Sequence, residues 1–290
     1  MRKVRSVLLS LGGLGVAQMW LAYAQQAPQP PQPQPAPQQE ERSTGDGVFS
    51  VGVYYWLTSA PPDLRGGHAS FAPNPANFDF PGNSKYSPAA EVSIPAGREN
   101  TLRFSYFRTL GRGDTTATGP LTLFGTDFSQ GDYLVTRYNI QNFKISFDYL
   151  SFPFPLSGSR LRVKTLWEVQ YTGMQSSIDA PLKPLLTDSS GNVISNTAAG
   201  SKWFIYPTLG MGIEYSVSRN FRLEARASGF MVPSHATIWD TEGSAGYRMG
   251  RVEALVGAKA FHFKTSIQAD QYYKATLSGV YAGLRWYPKF

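Results

Sequence analysis

The sequence predicts an all-β fold, a transmembrane antiparallel up-and-down β-barrel of about ten strands, with eight or twelve strands as alternatives. Three observations lead to this prediction. The chain begins with an export signal, its body alternates polar and apolar residues with a period of two, and its connections alternate between tight turns and long loops. No convincing amphipathic helix interrupts the alternation, which favours an all-β class.

The N-terminus has the features of a cleavable signal peptide over residues 1–24. Met1–Arg5 is positively charged, an apolar run extends over Val7–Leu21, and Ala22–Ala24 places small residues where a signal peptidase cuts. An uncleaved anchor is disfavoured because the apolar run is short and rich in glycine. Removal of this segment leaves 24 basic against 20 acidic residues, a net charge of +4. So small an excess does not indicate a nucleic-acid partner.

Residues 25–46 form a predicted linker. Thirteen of the sixteen residues from Gln25 to Glu40 are Pro or Gln, which predicts an extended, polyproline-like spacer. The linker is either a passive tether or a handle for a periplasmic partner, and the sequence leaves both open. The chain contains no cysteine. A lipoprotein anchor, disulfides and thiolate metal sites are therefore excluded.

Residues 47–290 are predicted to form the barrel itself. In the segment 221–229, Phe, Leu and Ala alternate with Arg, Glu and Ser. Successive side chains of a strand point to opposite faces, so this segment has one apolar and one charged face. The predicted strands are residues 47–57, 88–96, 100–110, 132–151, 160–173, 202–216, 220–232, 235–248, 251–265 and 272–290.

The connections between these strands differ in length. Short turns on one side and long loops on the other are typical of outer-membrane barrels, so we expect the turns to face the periplasm. The connection at Pro233-Ser234 is short where a long loop is expected. The tight turns are residues 97–99, 156–159, 217–219 and 249–250, and the long loops are 58–87, 111–131 and 174–201.

The predicted strand 132–151 has an irregular upper half, in which Arg137, Asn139 and Gln141 fall in phase with the apolar set. Either a bulge near Asn142 shifts the phase, or this part stands above the bilayer. We favour the second interpretation, because the strand is too long to lie wholly within a membrane.

The chain ends on an aromatic residue. From Val280, the outward set is Val280, Ala282, Leu284, Trp286, Pro288 and Phe290, and the inward set is Tyr281, Gly283, Arg285, Tyr287 and Lys289. Here the chain resembles the outer-membrane β-barrel proteins of Gram-negative bacteria, whose last strand typically ends in Phe. The resemblance implies a place in the cell outer membrane, contact with its lipid, and recognition of Trp286 and Phe290 by the barrel-assembly machinery. Gly283 and Pro288 depart from the usual pattern.

The inward-facing phase collects nine basic and eight acidic residues. Near balance predicts a lumen that is closed by ion pairs, and a narrow porin-like channel is the alternative. The lumen charge network is predicted to comprise Glu214, Arg222, Glu224, Arg226, Asp240, Glu242, Glu253, Lys259 and Arg285. The other inward charges are Glu91, Arg103, Lys144, Asp148, Arg162, Lys164, Glu168 and Arg248.

Catalysis is the hypothesis from another class, since small barrels of this kind include hydrolases and the omptin proteases, which rely on a His near the outer rim. The chain has only His68, His235 and His262, and Ser234 and Asp240 flank the second. No omptin motif, phosphate loop or metal-spaced cluster is present. We predict no enzyme activity, no cofactor and no metal. Ligand binding or adhesion through the long loops remains an alternative, and the oligomeric state is open.

Overall fold

The computed structural model describes residues 47–58, 63–67, 78–97, 99–152, 160–187, 189–191, 193–233, 236–265 and 272–289. The predicted signal peptide and linker lie outside this range, as do the turn at 156–159 and the residues His68, Ser234, His235 and Phe290. In the part that is described, no helix is long and apolar enough to cross a membrane.

Ten strands form one closed antiparallel barrel. Each strand pairs with its neighbours in chain order, and the first pairs with the last. The predicted fold class is therefore confirmed, and the alternatives of eight and twelve strands are wrong. The strands are β1 (Ser50–Thr58), β2 (Pro88–Pro95), β3 (Thr101–Thr116), β4 (Tyr133–Phe152), β5 (Leu161–Asp179), β6 (Thr197–Ser216), β7 (Phe221–Val232), β8 (Ala236–Met249), β9 (Val252–Lys264) and β10 (Tyr272–Trp286).

Several strands of the barrel extend further at the upper end, the end of the long loops, than the sequence predicted. β3, β5 and β6 continue by several residues into the segments 111–131 and 174–201, which were predicted to be loops. These extensions alternate weakly because their outer side meets water and tolerates polar residues. At the other end, β10 stops at Trp286 and not at residue 290, because Pro288 has no N–H to donate.

Short strands lie within the remaining predicted loops. Leu121–Leu123 and Thr126–Phe128 form a hairpin, whose tip contains Phe124 with a φ of 47°. Leu123 and Phe128 are buried in the same apolar cluster as Tyr273 of β10, so the hairpin packs over the barrel interior. Smaller strands are Asp63–Gly67 beside β10, Phe78–Asp79, Asn83–Tyr86 beside β3, and the pair Leu186–Thr187 and Val193–Ile194.

An apolar belt covers the outside of the barrel between two aromatic girdles. On β6, Tyr215 in the lower girdle lies twelve residues after Trp203 in the upper girdle. This separation is about 40 Å along a strand, or about 30 Å at the usual tilt. On β4 the two girdles, at Phe143 and Tyr149, are six residues or about 15 Å apart, so the belt brackets the ~25 Å apolar band of outer-membrane barrels. The upper girdle consists of Tyr106, Phe143, Tyr171 and Trp203, and the lower girdle of Tyr149, Tyr215, Tyr247 and Trp286.

The polarity of β4 reverses above the upper girdle without any change of phase. Its pairing with β3 is unbroken throughout, and its one register shift against β5 lies between Val163 and Lys164. The alternative of a bulge near Asn142 is therefore wrong. From Gln141 up to Arg137 the outward residues are the polar Arg137, Asn139 and Gln141, and the buried inward residues include Tyr138 and Ile140.

Candidate functional site: the filled lumen

The interior of the barrel contains a charged layer on the side of the tight turns. Arg222 lies at its lower end, where its Nε and Nη2 donate to the two carboxylate oxygens of Glu253 at 2.5 and 3.0 Å. Arg285 donates to the same carboxylate at 3.4 Å and to Glu91 at 2.8 Å. The hydroxyl of Tyr287 adds a third donor to Glu253, at 2.6 Å. Such a bidentate, charge-assisted pair fixes both side chains in direction.

Arg103 joins three carboxylates near the centre of the layer. Its guanidinium lies 3.0 Å from Glu91, 3.2 Å from Asp148 and 3.2 Å from Glu224. Because Glu224 belongs to β7 and Arg103 to β3, this contact crosses the lumen. Arg226 then links Asp148, at 3.0 Å, to Glu168, at 3.6 Å.

The upper part of the charged layer is held by lysines. Lys144 lies 2.8 Å from Asp240 and 3.6 Å from Glu168, so it bridges the lumen between β4 and β8. Lys259 approaches Asp240 at 2.9 Å and Glu242 at 3.5 Å. All of these lysine and carboxylate groups are at least two-thirds buried.

These contacts join fifteen charged side chains, seven basic and eight acidic, into one continuous network. Strands β2 to β10 all contribute a charge, and Tyr54 of β1 accepts from Arg285 at 3.1 Å. The network contains the nine residues predicted as lumen charges and, in addition, Glu91, Arg103, Lys144, Asp148, Lys164 and Glu168. Of the other predicted inward charges, Arg162 pairs with Glu99 at 2.9 Å and Arg248 lies over the ring of Tyr287.

An aromatic layer fills the lumen above the charges, and the sequence reasoning missed it. Phe107 packs edge-on against Trp56 and Phe261, with ring centroids 5.4 and 5.1 Å apart. Phe263 packs against Phe204 at 5.3 Å. The sequence does contain a signal, because Phe261 and Phe263 share the inward phase of Lys259. Apolar residues on both phases of a strand indicate that both sides are covered.

A small cavity lies where the two layers meet. Its volume is about 50 Å³, and its lining includes Trp56, Phe107, Lys144 and Lys259. The indole Nε1 of Trp56 is buried there without a hydrogen-bond partner among the described residues. A space of this size with polar groups at its edge fits a few water molecules.

The residues considered for catalysis do not converge within the described structure. His262 faces outward, stacks on Trp239 at 5.3 Å and contacts the hydroxyl of Thr276 at 2.8 Å. Asp240 faces inward and is held by two lysines. Among the residues that the structure describes, no group of three or more His, Cys, Asp or Glu side chains could hold a metal ion. The predicted absence of enzyme activity stays a prediction.

The predicted assembly signal is seen only in part. Trp286 faces outward in the lower girdle and is half exposed, a position accessible from the membrane side. Phe290 lies outside the described residues. Recognition of this end by the assembly machinery therefore stays a prediction.

No known protein family and no curated protein matches the sequence. The fold is similar to that of the outer membrane protease OmpT from Escherichia coli, with a TM-score of 0.55 and 10% identity over 86% of this chain and 100% of that chain. The transport unit of the autotransporter AIDA-I from Escherichia coli is more distant, with a TM-score of 0.37 and 7% identity over 86% of this chain and 92% of that chain. The Pseudomonas putida toluene transporter TodX has a TM-score of 0.30 and 9% identity over 86% of this chain and 91% of that chain. The likeness to OmpT shows the fold alone, which is that of the outer-membrane β-barrels.

Proposed function

We propose that this chain lies in the cell outer membrane as a closed, non-conducting structural barrel. The observation that carries the proposal is the filled lumen, in which a charged layer and an aromatic layer lie one above the other. A conducting pore needs a continuous water-filled path, usually lined by charges of one sign. Here seven basic and eight acidic residues neutralise one another by direct contact, and the cavity between the layers holds about 50 Å³.

Wild-type barrel is expected to show no steady conductance in planar lipid bilayers. Ion pairs occupy the lower lumen, and the aromatic layer offers no polar path for a hydrated ion. A general porin inserted under the same conditions serves as the positive control. Steady single-channel steps from the wild type at the level of that porin would replace this proposal with the alternative, a narrow porin-like channel.

The tight turns and the N-terminal linker are proposed to face the periplasm, with the long loops outside. An even number of strands brings both ends of the barrel to the side of the tight turns, and short turns lie on the periplasmic side of such barrels. An epitope inserted at Ser190, in the exposed connection between β5 and β6, is expected to bind antibody on intact cells. An epitope at Gly158, in the predicted tight turn, is expected to bind only after permeabilisation. The opposite labelling pattern would reverse the orientation.

Three contacts belong to the proposal. The apolar belt between the girdles supports contact with outer-membrane lipid. The C-terminal Trp286 and Phe290 would be recognised by the barrel-assembly machinery, and the Pro/Gln-rich linker is available to a periplasmic partner. The chain would be exported through the signal peptide of residues 1–24, and the barrel would carry out no enzymatic step.

A further inference from the structure

On the described residues of the barrel strands, outward-facing charged side chains occur only beyond the upper girdle. Between the girdles, the outward positions of the described strands hold no Lys, Arg, Asp or Glu. The outward charges above them are five basic residues and two acidic ones, namely Arg108, Arg112, Arg137, Lys264, Lys274, Asp114 and Asp179.

Two of the arginines lie directly opposite each other. Arg112 of β3 and Arg137 of β4 are partners in the antiparallel register. Like charges in this position repel, which destabilises an isolated sheet. Asp179 of β5 neutralises Arg137, whereas Arg112 has no acidic partner among the described residues.

A polar row across three strands lies just below this pair. The Nε of Arg108 donates to the side-chain oxygen of Asn139 at 3.0 Å, and the amide of Asn139 donates to Gln175 at 3.0 Å. These bonds hold the guanidinium of Arg108 against the wall and leave its two Nη groups to other acceptors. Arg108 and the opposed arginines therefore lie on one face of the barrel.

An open groove of about 470 Å³ runs along this face. Its lining includes Arg112, Arg137, Asn139 and Gln175. Arg108 lies two residues beyond Tyr106 of the upper girdle and Arg112 six residues beyond it. At about 3.3 Å per residue and the usual tilt, these positions are about 5 and 15 Å above the girdle. That interval is where the sugars and phosphates of an outer-leaflet headgroup lie.

We infer that this groove binds the phosphate groups of a lipopolysaccharide headgroup through Arg112 and Arg137, which line it, and through Arg108, which donates to the lining residue Asn139. Arginine presents a planar fork of donors that matches phosphate oxygens in a bidentate geometry. A phosphate between Arg112 and Arg137 also gives Arg112 the acidic partner that it lacks among the described residues. Together with Asp114 and Asp179, the three arginines carry a net charge of only +1. Binding would therefore depend on individual phosphates that contact individual arginines, and not on a large positive field. The inference rests on the proposed orientation in the outer membrane and is independent of a closed lumen.

The test compares two glycolipid preparations on folded, purified barrel in detergent, with native mass spectrometry as the readout. One is a rough-type lipopolysaccharide with a phosphorylated core, and the other is the same material after dephosphorylation. Wild type is expected to bind the phosphorylated form about tenfold more tightly or better. Arg112→Gln with Arg137→Gln is expected to lose that preference. Arg219→Gln with Arg251→Gln, on exposed turns at the other end, makes the same change of charge and is expected to keep it.

Three results would overturn the inference. The first is equal binding of both preparations by the wild type, a comparison that stands even if the double variant fails to fold. The second is an unchanged preference in a double variant that shows the heat-dependent gel shift of a folded barrel. The third is full competition by inorganic phosphate alone, which would indicate a site for the free anion. None of these results bears on conductance, so the proposed closed lumen would stand or fall separately.

Discussion

An Arg222→Ala, Arg226→Ala variant is expected to lose about 3–5 kcal/mol or more of unfolding free energy, the usual cost of breaking a buried ion pair from one side. Glu253 loses its bidentate donor, and Asp148 loses a contact of 3.0 Å. The carboxylates that remain are buried and cannot recover full hydration. Equilibrium unfolding in urea from lipid vesicles measures the loss.

Two matched variants separate lost pairing from lost charge. Arg222→Met with Glu253→Met removes both partners of one pair, so less buried charge is left unpaired and a smaller loss is expected. Arg219→Ala with Arg251→Ala removes two exposed arginines and is expected to change stability by about 0.5 kcal/mol or less. If the lumen variant were no less stable than this exposed control, the network would not be holding the barrel together.

The same lumen variant also tests how the pore is closed. If the ion pairs alone closed the lumen, loss of the two arginines would raise the conductance. The structure adds a second barrier, because Phe107 and Phe261 still cover the charges. Steady conductance is therefore expected when Phe107→Ala and Phe261→Ala are combined with the arginine changes, and it should favour cations because carboxylates then predominate. Full opening by the arginine changes alone would assign the closure to the charges only.

A Leu209→Arg variant is expected to destabilise the barrel by about 2–4 kcal/mol, the cost of a cation on the lipid face near the midplane. Leu209 lies midway between Trp203 and Tyr215 of the two girdles, and 55% of its surface is exposed. In water such exposure would make the change mild, whereas in lipid it leaves a charge without a partner. Equilibrium unfolding from vesicles measures the difference.

Ala199→Arg is the control, because this position is on the same strand and the same outer face but lies beyond Trp203. It is expected to cost about 1 kcal/mol or less, since the added charge stays in water. Equal losses at the two positions would mean that the apolar belt does not mark the membrane.

The sequence predicted the strands well where one side of the wall is charged and the other apolar. β7, predicted as residues 220–232, is Phe221–Val232 in the structure, because each step along it changes the side-chain environment. The same rule failed at the upper ends of β5 and β6. There water replaces lipid on the outside, so small and polar residues fit either face. The difference in hydrophobicity between successive residues, on which the strand prediction depends, is then small.

The site was predictable as a set of residues but not as a set of contacts. Phase along a strand assigns Lys144 and Asp240 to the interior. It cannot assign them to each other, because they come from strands on opposite sides of the lumen and meet at 2.8 Å only after the barrel closes. The aromatic layer was missed for a related reason, since apolar inward residues such as Phe107 have the same composition as outward ones.

The reversal of polarity along β4 fixes how deep the barrel sits in its membrane. A shift of the barrel along the membrane normal toward the periplasm would carry Gln141 and Asn139 into hydrocarbon, where their amides would lose their hydration. A shift outward would expose Phe143 to solvent while drawing the lower girdle into the lipid tails. Both displacements raise the free energy, so the barrel has one preferred height. At the lipid–water boundary, the outer face of β4 changes from apolar to polar. At the same height its inner face changes from polar to apolar.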